Sequence, residues 1–81
     1  MHVGMNIVIY DFFCSNSPLY IDIMKVIEEL DIYPNVEKIR DVDAIFNISD
    51  KPPVLFINGK KVIEGEYPDK EKLKDIIEKN L

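Results

Sequence analysis

Hydrophobic and polar positions divide the first half of the chain into a strand, a helix and a second strand. The run MNIVIYDFF at 5–13 is almost continuously apolar and rich in β-branched residues, which is typical of a strand buried on both faces. Five apolar residues then recur at the spacing of one helix face: Leu19, Ile23, Val26, Ile27 and Leu30. We expect Ser17 to cap this helix, with Pro18 at its first position. Val36 to Ile39 should form the second strand, and this order predicts a parallel pair.

A short second helix is expected next, before the sequence KPP interrupts the pattern. Asp41 or Asp43 can cap it, since an aspartate side chain accepts hydrogen bonds from the first amides of a helix. Its apolar residues, which we expect to be buried, are Val42, Ile45, Phe46 and Ile48.

The clearest local pattern follows, because Asn58-Gly59 separates two β-rich runs. Both central positions of a type I′ turn need positive φ, so Asn-Gly predicts a hairpin between Val54–Ile57 and Lys60–Glu64. Asp69 can cap a last helix. The buried stripe of that helix is predicted to be Leu73, Ile76, Ile77 and Leu81. The complete order is β-α-β-α-β-β-α, an α/β fold with one four-stranded mixed sheet flanked by helices.

Composition limits the classes of function open to this chain. Its 81 residues make one domain, and no apolar run reaches the length of a membrane span. A net charge of −5 without any basic run argues against nucleic acid and against an anionic membrane surface. The N-terminus lacks the features of a secretory signal, so we expect a cytoplasmic protein. Residues 1–4 are expected to be a disordered lead before Met5.

The single cysteine, Cys14, lies in the sequence CSNS directly after the first strand. One cysteine cannot form an internal disulfide, and it excludes a metal site built from several cysteines of one chain. A second cysteine at the position of Ser17 would complete a C-x-x-C redox motif. The sequence therefore raises the question of whether C-x-x-S is a working one-cysteine site.

A cysteine after the first strand and a proline before the third make this order resemble the thioredoxin-like superfamily. The resemblance extends over the chain from Met5 onwards and is carried by VEKIRDVDAI, by PPVLFINGKKVIEGEYPDKEKLKDII and by the position of CSNS. It looks closest to the small thioredoxin- or glutaredoxin-like redox proteins of archaea and bacteria. The resemblance implies thiol–disulfide exchange that needs neither cofactor nor metal.

The family pattern transfers to three positions of this sequence. Cys14 matches the nucleophilic cysteine, and Ser17 stands where the family has its resolving cysteine. Pro53 matches the cis-proline beside the active cysteine, because it stands five residues before Asn58 as the family's proline does. Cis is accessible at an X-Pro bond. Pro52 has no N–H to offer an extended substrate, which favours a small thiol or a partner held in another way.

Neighbours of Cys14 leave several alternatives open. Asp11 could be a desolvated carboxylate that exchanges protons with the thiol, but a strand-end aspartate facing water is the simpler expectation. Phe13 or Tyr20, if exposed, would give partners an apolar contact. Ser17 could act as a thiolate partner or simply as a helix cap, and in the latter case Cys14 lies in the loop before the helix. No lysine follows the first strand, which argues against use of glutathione.

The leading hypothesis is monothiol exchange at Cys14 with a protein or a small-molecule thiol or disulfide, performed by a monomer. A thiolate attacks a disulfide, and an outside thiol then releases the mixed disulfide, since Ser17 cannot. A thioredoxin-fold binding module that has lost its chemistry is the alternative. A dimer that bridges an iron–sulfur cluster through two copies of Cys14 is a third, less favoured hypothesis.

Overall fold

The computed structural model describes residues 4–12 and 17–81, which form one sheet and three helices. The elements in chain order are β1 (Asn6–Tyr10), α1 (Pro18–Leu30), β2 (Asn35–Ile39), α2 (Val42–Ile48), β3 (Val54–Ile57), β4 (Lys60–Glu64) and α3 (Lys70–Lys79). The predicted order β-α-β-α-β-β-α is confirmed. Phe13 and Cys14, two of the predicted site residues, lie outside the described residues.

The four strands form a mixed sheet in the order β2-β1-β3-β4. β1 is parallel to β2 and antiparallel to β3, and β3 is antiparallel to β4. Tyr10 at the end of β1 pairs with both Ile39 and Val54, and Val54 pairs with Glu64. The ends of β1, β2 and β4 and the beginning of β3 therefore meet at one edge of the sheet, which we call the site edge.

The main hydrophobic core lies between one face of the sheet and the helices α1 and α3. Its buried residues are Met5, Ile7, Ile9, Leu19, Ile23, Val26, Ile27, Leu55, Ile57, Ile63, Leu73 and Ile77. The predicted stripe of α1 is thus buried except for Leu30, which packs partly buried against the core. In α3, Ile76 is also only partly buried. Leu81 is exposed, contrary to expectation, because α3 ends at Lys79.

The opposite face of β1 is less covered than the sequence suggests. Val8 and Tyr10 alternate with the core residues Ile7 and Ile9 and are only half-buried. The expectation of a strand buried on both faces was therefore wrong. Tyr10 instead packs edge-to-face on Phe56 of β3, with ring centroids 5.7 Å apart, so this face is partly covered by its own aromatic residues.

The helix α2 buries far less than its apolar sequence predicts. Ile45 is fully buried, but Val42, Phe46 and Ile48 are exposed. Seven residues make two turns, a helix of only about 10 Å, so a single side chain reaches the interior. Asp41 rather than Asp43 is the N-cap, and its carboxylate accepts a 3.0 Å hydrogen bond from the Ala44 amide.

The predicted hairpin is confirmed between Val54–Ile57 and Lys60–Glu64. Asn58 and Gly59 have φ of 53° and 81°, the left-handed values that a two-residue turn of this kind requires. The Asn58 side chain also accepts a 2.8 Å hydrogen bond from the Asn6 amide, which ties the turn to the beginning of β1. This end of the sheet lies opposite the site edge.

Candidate functional site

Ser17 begins the helix α1 as its N-cap, and Pro18 occupies the first helical position, as predicted. The Ser17 Oγ accepts a 3.3 Å hydrogen bond from the amide of Tyr20. Proline has no amide hydrogen to lose at this position, so the pair forms a stable helix start. Along the sequence, Cys14 stands three residues before this cap.

Asp11 follows β1 at the site edge and is buried, with only 4% of its surface exposed. The Ser17 hydroxyl donates a 2.8 Å hydrogen bond to Asp11 Oδ2, and the Asp11 amide donates to the Ile39 carbonyl at 3.1 Å. The expectation that Asp11 faces water was therefore wrong. Burial of a carboxylate is tolerated here because hydroxyl donors satisfy its oxygens.

Tyr67 supplies a second donor to the same carboxylate. Its hydroxyl lies 3.0 Å from Oδ1 and 2.9 Å from Oδ2 of Asp11, although 56 residues separate the two in sequence. Burial, and then the hydrogen bond to Asp11 and its charge, raise the pKa of Tyr67 to about 12. Sequence reasoning missed Tyr67, because a loop residue before α3 carries no periodic signal. We call Asp11, Ser17 and Tyr67 the carboxylate cluster.

Two consequences follow from the carboxylate cluster. A serine hydroxyl has one proton, and that of Ser17 is directed to Asp11, so it is not available to another acceptor. In addition, the hydrogen bond between Asp11 and Ser17 joins the two ends of the segment 12–16, which contains Cys14. Ser17, at the position where a C-x-x-C motif would have its second cysteine, therefore makes a structural hydrogen bond.

Pro52 and Pro53 precede β3 at the site edge, and the peptide bond between them is cis. Pro53 is buried, and its carbonyl accepts a 2.9 Å hydrogen bond from the amide of Gly65. Because Val54 pairs with Tyr10, Pro53 and Asp11 are the residues that adjoin this last pair of the ladder. The proline predicted to contact substrate therefore lies at the same edge of the sheet as Asp11, while Pro52 is half-buried.

A second polar cluster, also missed by the sequence analysis, holds the loop before Pro52. The Ser49 hydroxyl donates to the Glu64 carboxylate and accepts a 2.9 Å hydrogen bond from the Lys51 amide. Lys61 forms a 3.0 Å ion pair with Glu64. The hydrogen bond from Ser49, and then that from Lys61, lower the pKa of Glu64 below its ordinary value. These contacts fasten the end of α2 and the proline loop to β4.

The aromatic residues near Cys14 in sequence have different environments. Tyr20 is half-buried against the core, and the Lys38 ammonium lies 4.3 Å from its ring centroid. Tyr20 therefore offers little free apolar surface. Phe12 is 43% exposed, and its ring lies 5.5 Å from that of Phe46 in α2. Of the described aromatic residues flanking Cys14, Phe12 is the more available to a partner.

Two open grooves lie away from this site. Their volumes are about 530 and 420 Å³, and both border Ile32 and Tyr33, at the end of the sheet away from Asp11. In residues 4–12 and 17–81, no group of three His, Cys, Asp or Glu side chains is placed to hold a metal ion. No helix in the same residues is long and apolar enough to cross a bilayer.

A β-α-β unit followed by a β-β-α unit, with a proline before the third strand at the site edge, defines a thioredoxin-like fold. A family model described as a thioredoxin domain matches residues 5–78, which is nearly the whole chain. The chain therefore belongs to the thioredoxin-domain family. No curated protein matches it.

Proposed function

We propose that this protein performs thiol–disulfide exchange through Cys14 alone. The observation that carries the proposal is the hydrogen bond that joins Asp11 to Ser17 and so fixes both ends of the Cys14 segment. Family membership supports it, because the cysteine precedes the first helix of a thioredoxin domain. Pro53 lies at the same edge of the sheet, where it is proposed to contact the substrate together with Pro52 and Phe13.

The proposed reaction has two steps with balanced bonds. Cys14 loses its proton to solvent, and the thiolate attacks one sulfur of a substrate disulfide. A mixed disulfide forms while the other substrate sulfur leaves as a thiolate, which takes up a proton. A second, external thiol then attacks the mixed disulfide and restores Cys14. Ser17 has no sulfur and cannot perform this second step, so the cycle is monothiol.

Two electrostatic effects compete at the thiol. The 13-residue helix α1 begins at Pro18, and its positive end stabilises a nearby anion by about 0.3–1 kcal/mol. The Asp11 carboxylate, three residues before Cys14, disfavours a second negative charge. Ser17 and Tyr67 direct their hydroxyls to that carboxylate and so moderate its field. We therefore expect the reactivity of Cys14 to depend on the carboxylate cluster.

A binding module without redox chemistry is the second candidate function. It is favoured by the direction of the Ser17 hydroxyl, which donates to Asp11 and leaves no proton for a thiolate. The absence of an N–H on Pro52 points the same way, because it weakens strand-like pairing with a substrate peptide. In this case Cys14 would be dispensable for partner binding.

The rate of Cys14 alkylation as a function of pH separates these functions. Folded protein is compared with protein in concentrated urea, and a Cys14→Ser variant gives the background. An inflection well below the value of about 8.5 for an ordinary cysteine, seen only in the folded protein, supports exchange chemistry. An inflection at or above that value, or a thiol that reacts only after unfolding, contradicts it and favours the binding module.

A further inference from the structure

The apolar residues that α2 leaves outside the core form a surface next to the proposed redox site. Val42 is 54% exposed and Phe46 is 52% exposed, although a buried position was expected for both. They are four residues apart and therefore lie on the same side of the helix. Neither residue is used by the core, and clustered exposed apolar side chains of this kind mark interaction sites.

Phe12 connects this surface to Cys14. Its half-exposed ring lies 5.5 Å from the ring of Phe46, with the two planes inclined by 48°. Phe12 precedes Cys14 by two residues, so their Cα atoms are at most about 7 Å apart along the chain. A partner that contacts Phe12 and Phe46 is therefore held within two residues of Cys14 along the chain.

Acidic residues border the same surface. Asp43 is exposed and precedes Phe46 by three residues, which places it on the same side of α2. Asp41 is also exposed, at the beginning of the helix. Two copies of the chain meeting here would bring these carboxylates together, and each copy carries a net charge of −5. Charge complementarity therefore favours a basic partner over a second copy.

We propose that Phe12, Val42, Asp43 and Phe46, which we call the α2 surface, bind a protein segment whose reactive cysteine has a large apolar residue and a Lys or Arg nearby. The inference rests on the proposed function, because it names the substrates that Cys14 would select. Pro52 offers no backbone N–H, which weakens strand-like pairing, so side-chain contacts of this kind should carry more of the recognition.

Two peptides test the inference, each carrying its cysteine as a mixed disulfide with 5-thio-2-nitrobenzoate. In one peptide Phe and Lys precede the cysteine, and in the other Ser and Glu replace them. Attack of the Cys14 thiolate on the peptide sulfur forms a mixed disulfide and releases the coloured thiolate, so absorbance follows the rate. We expect the Phe-Lys peptide to react about tenfold faster or more, a preference that falls as salt is added.

Substitutions on the α2 surface test whether it causes the preference for the Phe-Lys peptide. We expect Phe46→Ser to reduce the rate ratio to near one and Asp43→Lys to remove its salt dependence. Tyr33→Ser, which changes an exposed aromatic residue at the far end of the sheet, should keep the ratio unchanged. Far-UV circular dichroism checks that each variant is folded, and Val42→Ser provides a second, milder change on the same surface.

The remaining outcomes each overturn a different statement. Equal rates for the two peptides, or a ratio that survives Phe46→Ser, contradict the α2 surface as the recognition site but leave exchange at Cys14 intact. No Cys14-dependent release from either peptide contradicts the proposed function itself. A dimer in sedimentation that Phe46→Ser dissociates assigns the surface to a second copy of the chain.

Discussion

The hydroxyl of Ser17 donates a 2.8 Å hydrogen bond to the buried carboxylate of Asp11, which lies six residues earlier in the chain. The same oxygen of Ser17 accepts from the Tyr20 amide at the beginning of α1. Ser17 therefore joins the end of β1 to the beginning of α1, on either side of Cys14. Ser17 stands where a C-x-x-C motif would have its second cysteine, and here the serine makes a structural link.

Ser17→Ala should lower the free energy of unfolding by about 2–4 kcal/mol. Loss of an N-cap side chain costs about 1 kcal/mol, and loss of one of the two hydroxyl donors to the buried Asp11 carboxylate costs about 1–3 kcal/mol. The side chain is 1% exposed, so water does not readily replace the hydroxyl beside Asp11. Urea denaturation at neutral pH measures the change.

Asp69→Ala is the matched control for this substitution. Asp69 caps α3 by accepting a 2.9 Å hydrogen bond from the Lys72 amide, but its contact is exposed to solvent. We expect it to cost about 1 kcal/mol, the value of a cap alone. Equal losses for Ser17→Ala and Asp69→Ala would show that the bond between Ser17 and Asp11 adds no stability.

Ser17→Cys restores a C-x-x-C motif and tests how the carboxylate cluster affects a thiol. The new thiol would stand beside the Asp11 carboxylate at a position that is 1% exposed. Burial and a neighbouring negative charge both disfavour a thiolate. In the folded variant, its alkylation should therefore be slow and should rise only above a pH of about 8.5. Mass spectrometry distinguishes this thiol from Cys14 by the residue labelled.

Adding Asp11→Asn to this variant isolates the effect of the charge. An amide keeps a hydrogen-bonding side chain at position 11 but carries no negative charge. The inflection for the thiol introduced at Ser17 should then move to lower pH. An unchanged inflection would assign the slow reaction to burial alone.

Tyr67 should make the stability of the protein depend on pH in the alkaline range. Its pKa is raised from 10.0 to about 12 in the folded protein, first by burial and then by Asp11. Between these two values the unfolded chain has released the phenol proton while the folded protein retains it. Unfolding therefore releases a proton, and the free energy of unfolding falls as the pH rises through this window. Denaturant unfolding at a series of pH values measures the slope.

Tyr67→Phe provides the control, because it removes the phenol proton and should flatten this part of the stability profile. A pH titration followed by tyrosinate absorbance gives a second measurement. In it, the variant should lose the tyrosine whose pKa is raised to about 12. Asp11→Asn should lower the pKa of Tyr67 partway, since the contribution of burial remains. A pKa of Tyr67 that does not respond to Asp11→Asn would contradict the hydrogen bond between them.

Local signals explain why most of the fold could be predicted from the sequence. Ser17 and Asp69 cap their helices, and Asn58 with Gly59 forms the hairpin turn, because these preferences act over a few residues. Helical spacing identified the buried residues of α1 for the same reason, and in α3 it identified Leu73 and Ile77 but not the exposure of Leu81. The parallel pair and the hairpin followed from the order of elements, whereas the antiparallel pairing of β1 with β3 is known from the structure.

The carboxylate cluster could be predicted only in part, because it depends on contacts between distant segments. A strand-end aspartate is usually hydrated, and the approach of Tyr67, 56 residues away, joins the Ser17 hydroxyl in making burial of Asp11 favourable. The contact between Ser49 and Glu64 likewise joins residues of two separate elements. Neither tyrosine nor serine in a loop has a sequence pattern that reveals such a partner.

In α2 the local pattern correctly predicted a helix, but the burial predicted for its apolar residues was wrong. Its apolar spacing predicted a buried stripe, but Ile45 is the residue of α2 that is fully buried. Periodicity indicates which residues share a face, whereas the length of the helix decides how many of them reach the core. The difference between Ile45 and Phe46 can be measured directly.

Ile45→Ala should lower the free energy of unfolding by about 2–5 kcal/mol, the usual loss for a large aliphatic residue in a core. Phe46→Ala should cost about 0.5–1.5 kcal/mol, because Phe46 is half-exposed and mainly loses its contact with the ring of Phe12. Urea denaturation of both variants makes the comparison. If Phe46→Ala were as destabilising as Ile45→Ala, Phe46 would be a structural residue, and the α2 surface would lose its apolar centre as a site for partners.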